Sequence, residues 1–511
     1  MASEYVLEMR GITKIFGPVV ANEDVNFKVR RGEVHALVGE NGAGKSTLMK
    51  ILFGIYQPDA GEICLNGKRA VIKSPSDAIG LNIGMVHQHF MLVPSFTVAQ
   101  NMILGVEPRK GITLDLAEAE ERIRELSGVC GFTIDPKARI RDCPVGVQQR
   151  VEIMKALYRG ADLLILDEPT SVLTPDEAEE LFEIMRTLTH QGKTIIFITH
   201  KLREVMKTAQ HVTVLRKGKT VTTLPIDETC EQDLALQMVG RKVELYSGKD
   251  EVKPGEEIVK ADGLRAMDKY GRWCLKDIGF TVRAGEILGI AGVAGNGQDE
   301  LVDVFMGLKK LSKGRIEIDG RDVTGKTSDV IRSLGVGYIP EDRYERSMIR
   351  DASVAENMLL GFERDERFNG FGLKTDAIKK WADKLIHEFD VQPPLLDVPA
   401  GSLSGGNAQR AVMAREFALS KRVIIACQPS HGLDIGSIDF VHKQLLDRRR
   451  KGYAIILISS DLEEMLYLAD TIAVMYKGEL ISSFPNRDVD EKRMGLLMAG
   501  VRDAEPEEEA R

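Results

Sequence analysis

The sequence predicts an α/β protein assembled twice: two tandem domains, each on a largely parallel sheet. Three observations lead there. The chain repeats at about half its length, short buried β-like runs alternate with helical stretches, and each half carries an early strand that runs into a glycine-rich loop. Strands separated by helices pair in parallel, because only a long crossover can join parallel neighbours, and the helices then cover both faces.

The repeat is read from fixed offsets. Arg31-Gly32-Glu33-Val34 returns 253 positions on as Ala284-Gly285-Glu286-Ile287, and Gly84-Met85-Val86 returns as Gly337-Tyr338-Ile339. Gln149-Arg150 returns 260 positions on as Gln409-Arg410, and Leu215–Gly218 as Met475–Gly478. The offsets differ by seven, so one net insertion is expected, between residues 84 and 149 of the first half. Length alone, 511 residues, reads as about three domains at roughly 100–200 residues each. The repeat reduces this to two, residues 4–245 and 258–502, with a charged Pro-Gly linker at 246–257 and an acidic tail at 503–511.

Composition narrows the class. Hydrophobic residues at 43% and charged residues at 29% supply real cores and exclude global disorder. A net charge of −8 disfavours a nucleic-acid binder with a broadly basic surface. The six cysteines include no CxxC pair, so they read as free thiols, not a zinc or redox motif. The N-terminus lacks the apolar stretch of a signal peptide, and no apolar run approaches the roughly 20 residues that span a bilayer. Any membrane role then needs another chain.

The chemistry is concentrated in the first half. The strand Val34–Val38 runs into Gly39-Glu40-Asn41-Gly42-Ala43-Gly44-Lys45-Ser46-Thr47, which fits GxxxxGK[ST]. Its glycines let backbone N–H groups turn inward around a polyphosphate, Lys45 reaches the β- and γ-phosphates, and Ser46 ligates Mg²⁺. The apolar strand Leu163–Leu166 ends in Asp167-Glu168. Asp167 suits the Mg²⁺ shell, directly or through water, and Glu168 suits a general base for the attacking water. His200 ends another apolar strand and can contact the γ-phosphate. Gln88 follows the strand-like Ile83–Val86 and can reach metal and water.

These residues, the run Asp167-Glu168-Pro169-Thr170, and Leu403-Ser404-Gly405-Gly406-Asn407-Ala408-Gln409-Arg410 resemble the ATP-binding subunit of an ABC transporter with two fused nucleotide-binding domains. The last string is similar to the family's signature. The resemblance covers nearly all of residues 4–502. It implies two tandem ABC-type P-loop NTPase domains, each with a mostly parallel core sheet, an antiparallel β subdomain and a helical subdomain. It implies ATP and Mg²⁺ as ligands, and Phe16 as the aromatic that stacks on adenine. Fused subunits of this kind resemble those of bacterial importers for monosaccharides and nucleosides, and His87–Pro94 looks closer to the nucleoside type. The implied partners are integral membrane permease subunits and, indirectly, an extracytoplasmic solute-binding protein, with no nucleic acid; the implied location is peripheral, on the cytoplasmic face of the inner membrane. The competing expectation is a soluble twin-ABC ATPase acting on ribosomes in translation.

The second half departs from the first at the working positions. By offset, Lys45 meets Gln298, Ser46 meets Asp299, Gln88 meets Glu341, Asp167 and Glu168 meet Cys427 and Gln428, and His200 meets Ser460. Conversely Ser404 meets Pro144, and Asp434 meets Thr174. The resemblance implies that the two halves pair within one chain, each ATP lying between one half's loop and the other's signature and Asp434-type loop. Sorted that way, one site keeps eight positions: Lys45, Ser46, Gln88, Asp167, Glu168, His200, Ser404 and Asp434. The other has all eight corresponding positions changed. The expectation is one competent and one degenerate site, with the backbone of Gly292–Gly297 leaving room for weak nucleotide binding without hydrolysis.

Overall fold

The computed structural model describes residues 4–501 except 18, 88–89, 111–112, 132–133, 171–172, 174, 242–248, 294, 371, 488, 490 and 499. The chain divides into two compact units, Met1–Val243 with Asp434–Gly436, and Glu244–Leu433 with Ser437–Arg511.

In the first unit a six-stranded sheet runs Lys219–Pro225, His211–Arg216, Val34–Val38, Thr194–Ile198, Leu163–Asp167, Ile83–Val86. Five of these strands are parallel, and only Lys219–Pro225 runs against its neighbour. Val34–Val38, Leu163–Asp167 and Thr194–Ile198 are buried at every residue, as parallel strands covered on both faces must be. A four-stranded antiparallel sheet runs Val19–Arg30, Tyr5–Phe16, Ala60–Leu65, Lys68–Ala70. Leu7, Met9 and Phe27 of that sheet pack with Leu48 and Leu52 of the Lys45–Leu52 helix and with Ile165 and Ile196 of the parallel sheet.

The helical part has its own core of Met102, Ile123 and Met154. Its helices Val98–Ile103, Leu116–Cys130 and Val145–Tyr158 start and stop on local signals. Thr97 and Gln100 form a capping box, Asp115 caps the second helix, and Gly131 ends it in the left-handed region at φ 77.

The second unit repeats this plan. Its six-stranded sheet runs Val336–Ile339, Val423–Cys427, Ala454–Ser459, Ile287–Ala291, Thr471–Tyr476, Glu479–Pro485. Its antiparallel sheet runs Trp273–Arg283, Glu257–Met267, Lys313–Ile318, Arg321–Asp322. Its helices include Val354–Leu359, Thr375–Glu388 and Gly405–Leu419. The expected fold class holds in both units.

The single insertion does not hold. From Val86 to Val98 is 12 positions, while Ile339 to Val354 is 15; from Ile103 to Leu116 is 13, while Leu359 to Thr375 is 16. The extra residues belong to the second unit and fall at more than one place. Offsets report only the net difference between two aligned anchors, so they could not separate the steps. Among the described residues no helix is long and apolar enough to cross a membrane. All six cysteines are free thiols.

Candidate functional site

In the first unit the loop Gly39–Gly44 joins the buried strand Val34–Val38 to the Lys45–Leu52 helix. Gly44 is the residue before that helix and sits at φ 98. A Cβ there would lie 2.4 Å from the Ala21 carbonyl oxygen and 2.5 Å from Asn22 Nδ2, so no larger residue fits. Asn22 donates to the Gly44 carbonyl at 3.2 Å and locks the loop to the neighbouring strand. Asn22 was not singled out from the sequence, because an Asn in an amphipathic strand carries no motif.

Lys45 is 6% exposed, and its ammonium donates to the carbonyls of Gly39 at 2.7 Å and Glu40 at 3.0 Å. Burial lowers its pKa, and the nearby charges of Glu168 and Asp167 work against that. Asn41 and Gly42 are exposed in the loop, and Ser46 and Thr47 are half-buried in the helix's first turn. That turn holds no acidic residue, so the helix's own side chains do not offset its positive end.

Asp167 ends its strand at 6% exposure and accepts a hydrogen bond from the Ser46 hydroxyl. Burial and the Glu168 charge raise its pKa. Glu168 turns out of the strand at φ 46, with its N–H donating to the Ile198 carbonyl at 2.9 Å. Its Oε1 lies 3.1 Å from His200 Nδ1. Burial acts to raise the Glu168 pKa, but the His200 contact and the Lys45 charge outweigh it and hold the carboxyl below its ordinary range. Lys45, Ser46, Asp167, Glu168 and His200 are therefore brought together, as the motif reading expects. Phe16 ends its strand 40% exposed, edge-on to Tyr56 at 5.1 Å. Gln88 lies outside the described residues, as does Thr174.

A brace behind the site escaped the sequence reading. Glu204 accepts hydrogen bonds from Thr170 at 2.8 Å and Thr199 at 3.2 Å, tying two strand exits together. In the second unit Glu464 does the same with Ser430 and Ser459. The signal was available: Glu204 and Glu464 lie 260 apart, a carboxylate kept where the neighbouring acids are not.

The second unit keeps the backbone and changes the groups. Gly297 precedes the Gln298–Phe305 helix at φ 111, matching Gly44. Gln298 turns back into its own loop: its Nε2 donates to the Val293 carbonyl at 3.2 Å, and its Oε1 accepts the Asn296 N–H at 3.1 Å. One of the loop's donors is thus already engaged. Asp299 and Glu300 fill the first turn, where they compensate the helix end and repel phosphate. Cys427 replaces Asp167 at the strand's end, and burial with the charges of Asp299 and Glu341 raises its pKa. Gln428 takes φ 45 and donates to Ser460 Oγ at 3.0 Å, a neutral copy of the Glu168–His200 contact.

The signature string forms the start of a helix. Ser404 caps Gly405–Leu419 and accepts a bond from Asn407 Nδ2 at 2.9 Å, with Gly405 and Gly406 in the first turn. Pro144, at the matching position before Val145–Tyr158, makes no side-chain cap. Asp434 lies in the short loop after the Val423–Cys427 strand, just before the Ile435–Arg450 helix.

A family model described as ABC transporter matches residues 22–171 and 275–430. The chain is similar to the guanosine import ATP-binding protein NupO of Bacillus subtilis (strain 168), 47% identical over 97% of this chain and 98% of that protein. It is similar to the nucleoside import ATP-binding protein NupA of Lactococcus lactis subsp. cremoris (strain MG1363), 45% identical over 98% of this chain and 99% of that protein. It is also similar to the glucose import ATP-binding protein TsgD13 of Haloferax volcanii, 44% identical over 99% of this chain and 97% of that protein. With both halves matched and full-length similarity on this scale, the chain belongs to the ATP-binding proteins of ABC transporters, ATPases that here carry two nucleotide-binding domains in one polypeptide.

Proposed function

We propose that this ATPase energises an importer for nucleosides through one competent ATP site, built on the first unit's loop and completed by the second unit's signature. The observation that carries the reading is the division of chemistry between the units. The buried Lys45, Asp167 and Glu168–His200 constellation stands in one, while Gln298, Cys427 and the Gln428–Ser460 contact replace it in the other. In this reading residues 4–245 are the catalytic domain, 258–502 the complementing domain, 246–257 the linker and 503–511 an acidic tail.

The donor set suits ATP with Mg²⁺. A buried ammonium beside a glycine loop and a helix start with no acid of its own fits a polyphosphate. Asp167, whose charge is held back by burial and by Glu168, would be relieved by a divalent cation, and Ser46 already touches it. Among the described residues no three His, Cys, Asp or Glu cluster as a closed metal cage, which fits a cation that takes most of its ligands from phosphate and water. Mg²⁺, when bound, neutralises charge on the phosphate oxygens. Glu168, held ionised and oriented by His200, accepts the proton as water attacks the γ-phosphate, and Gln88 helps to position that water. Lys45 and the loop's N–H groups hold the phosphates. Phe16 supports adenine. Gly39, Asn41, Gly42, Gly44 and Thr47 shape the loop, and Ser404, Gly405, Gly406 and Asp434, from the second half of the sequence, act on the γ-phosphate.

Membrane permease subunits are the proposed partners, at the segments following Gln88 and Glu341. In the first unit that segment borders a cavity of about 220 Å³ lined by Phe53, Ile79, Met85, Met91, Glu152 and Ala156. In the second unit the positions of Ile79 and Ala156 hold Arg332 and Glu416, paired at 3.1 Å. This contrast supports two differently engaged membrane subunits. The guanosine and nucleoside import relatives support a nucleoside as the solute. The glucose import relative keeps simple sugars as the second reading. A ribosomal role has less support, since these full-length relatives are all import proteins. The test is reconstitution with the co-purified membrane subunits and solute-binding protein: a nucleoside should raise ATP hydrolysis where simple sugars do not, and the reverse result selects the second reading.

A further inference from the structure

The second unit holds a short helix, Arg343–Arg346, in the stretch from Ile339 to Val354 that is longer than its first-unit counterpart. No helix occupies the described residues between Val86 and Val98. Asp342 caps the short helix, accepting from the N–H groups of Tyr344 at 2.9 Å and Glu345 at 3.0 Å. Its side chains then reach three places within the unit. Tyr344 donates its hydroxyl to the Leu403 carbonyl at 2.8 Å, one residue before Ser404. Arg343 Nη1 donates to the His431 carbonyl at 3.4 Å, while its Nη2 lies 3.2 Å from where a Cβ on Gly405 would stand. Arg346 pairs with Asp303 at 3.1 Å, on the helix that follows the degenerate loop.

We propose that Tyr344 and Arg343 are positioning residues for ATP hydrolysis, holding the signature turn Leu403–Gly405 and the His431–Gly432 loop in fixed relation, with Arg346 anchoring their helix. This rests on the reading above, in which that turn completes the competent site. The arrangement has a logic in each contact. A hydroxyl on the Leu403 carbonyl fixes the peptide that sets the entry to Ser404. A planar guanidinium spans two backbone segments where a point charge could reach only one. Arg350 lies over the Tyr344 ring at 4.8 Å, so the ring is held from its face as well as by its hydroxyl. In the first unit the segment is secured differently. The Met91 N–H donates to Glu152 at 2.7 Å, and the Met91 carbonyl accepts from Lys155 at 3.0 Å, both on the helix that follows Pro144. The tyrosine-and-arginine brace accompanies the serine-bearing turn, and among the described residues none stands beside the proline-bearing one.

The test measures ATPase kinetics and the unfolding midpoint of the full chain co-purified with its membrane partners. Tyr344→Phe keeps the ring and removes one hydrogen bond. It should lower kcat about 2- to 10-fold with KM for ATP and the midpoint unchanged. Arg343→Ala should lower kcat about 10-fold or more, and Arg343→Lys should recover part of that. Wild-type kcat in both Tyr344→Phe and Arg343→Ala, or a loss explained by KM or by a lower midpoint, overturns the brace. Ser404→Ala, measured alongside, separates the two readings. If it loses turnover while the other variants do not, only the brace fails; if it keeps wild-type turnover, the signature reading fails and takes the brace with it.

Discussion

The helix after the glycine loop exists twice in this chain, and the two copies carry opposite charge. Lys45–Leu52 presents Lys45 and Lys50 and no acid; Gln298–Phe305 presents Asp299, Glu300 and Asp303 and no base. Both follow a left-handed glycine, and both pack beneath a buried parallel strand. The contrast teaches that the fold does not require the chemistry. A phosphate-attracting helix end becomes a phosphate-repelling one by side-chain exchange alone, with the backbone retained. The same holds one layer out, where the cavity beside Ile79 and Ala156 gives way to a buried network in which Glu416 meets Arg332, Arg415 and the Tyr338 N–H.

The contrast breaks most severely at Glu168. Glu168→Gln should lower turnover by roughly 10²–10⁴ while ATP still binds, read by phosphate release beside nucleotide binding. Retained hydrolysis would mean that the second unit turns over ATP and that the comparison is misread. Next comes Glu416→Gln, which leaves Arg415, 5% exposed, without its carboxylate. It should cost the second unit about 3–5 kcal/mol, seen as a lower calorimetric transition, with the first unit unaffected.

A smaller difference is set by pH. His35 is 1% exposed between Glu33 at 2.9 Å and Thr213 at 2.8 Å, and the matching position is Leu288. Burial lowers the His35 pKa below 6.5, with Glu33 working the other way. The unfolded chain therefore takes up this proton first. The stability the group contributes is complete above about 6.5 and is lost as pH falls through the lower folded value. Protection of core amides from hydrogen exchange should fall in the first unit as pH drops below about 6.5, ahead of the second, and His35→Leu should flatten that slope. The smallest effect is none: Gln428→Glu should leave ATPase activity unchanged, since Gln298, Asp299 and Cys427 remain. A clear rate gain would place the second unit nearer competence than its geometry supports.

Much of this was legible in the sequence because it rests on residue identity at strand ends and loops. The GxxxxGK[ST] pattern, Asp167-Glu168 and His200 each follow an apolar run, and runs of that kind locate strands. The changes to Gln298, Cys427 and Gln428 were readable for the same reason. Other features were hidden. A four-residue charged helix such as Arg343–Arg346 reads as loop, because it is too short to show a period. Glu204 reads as a solvated helix residue until its partners are known. Gln298 is legible as a lost lysine, but not as a side chain folded back onto Val293 and Asn296.

Glu168 and Gln428 share a left-handed backbone, at φ 46 and φ 45, that ordinarily costs a non-glycine residue of order 1–3 kcal/mol. Such strain is commonly read as the mark of a working site. Here it persists where no carboxylate remains, so it belongs to the way the strand leaves the sheet. The exit is a socket that aims whatever side chain it holds toward the neighbouring strand's end. A carboxylate placed there is delivered to its post by the fold, and its aim was settled before any choice of chemistry.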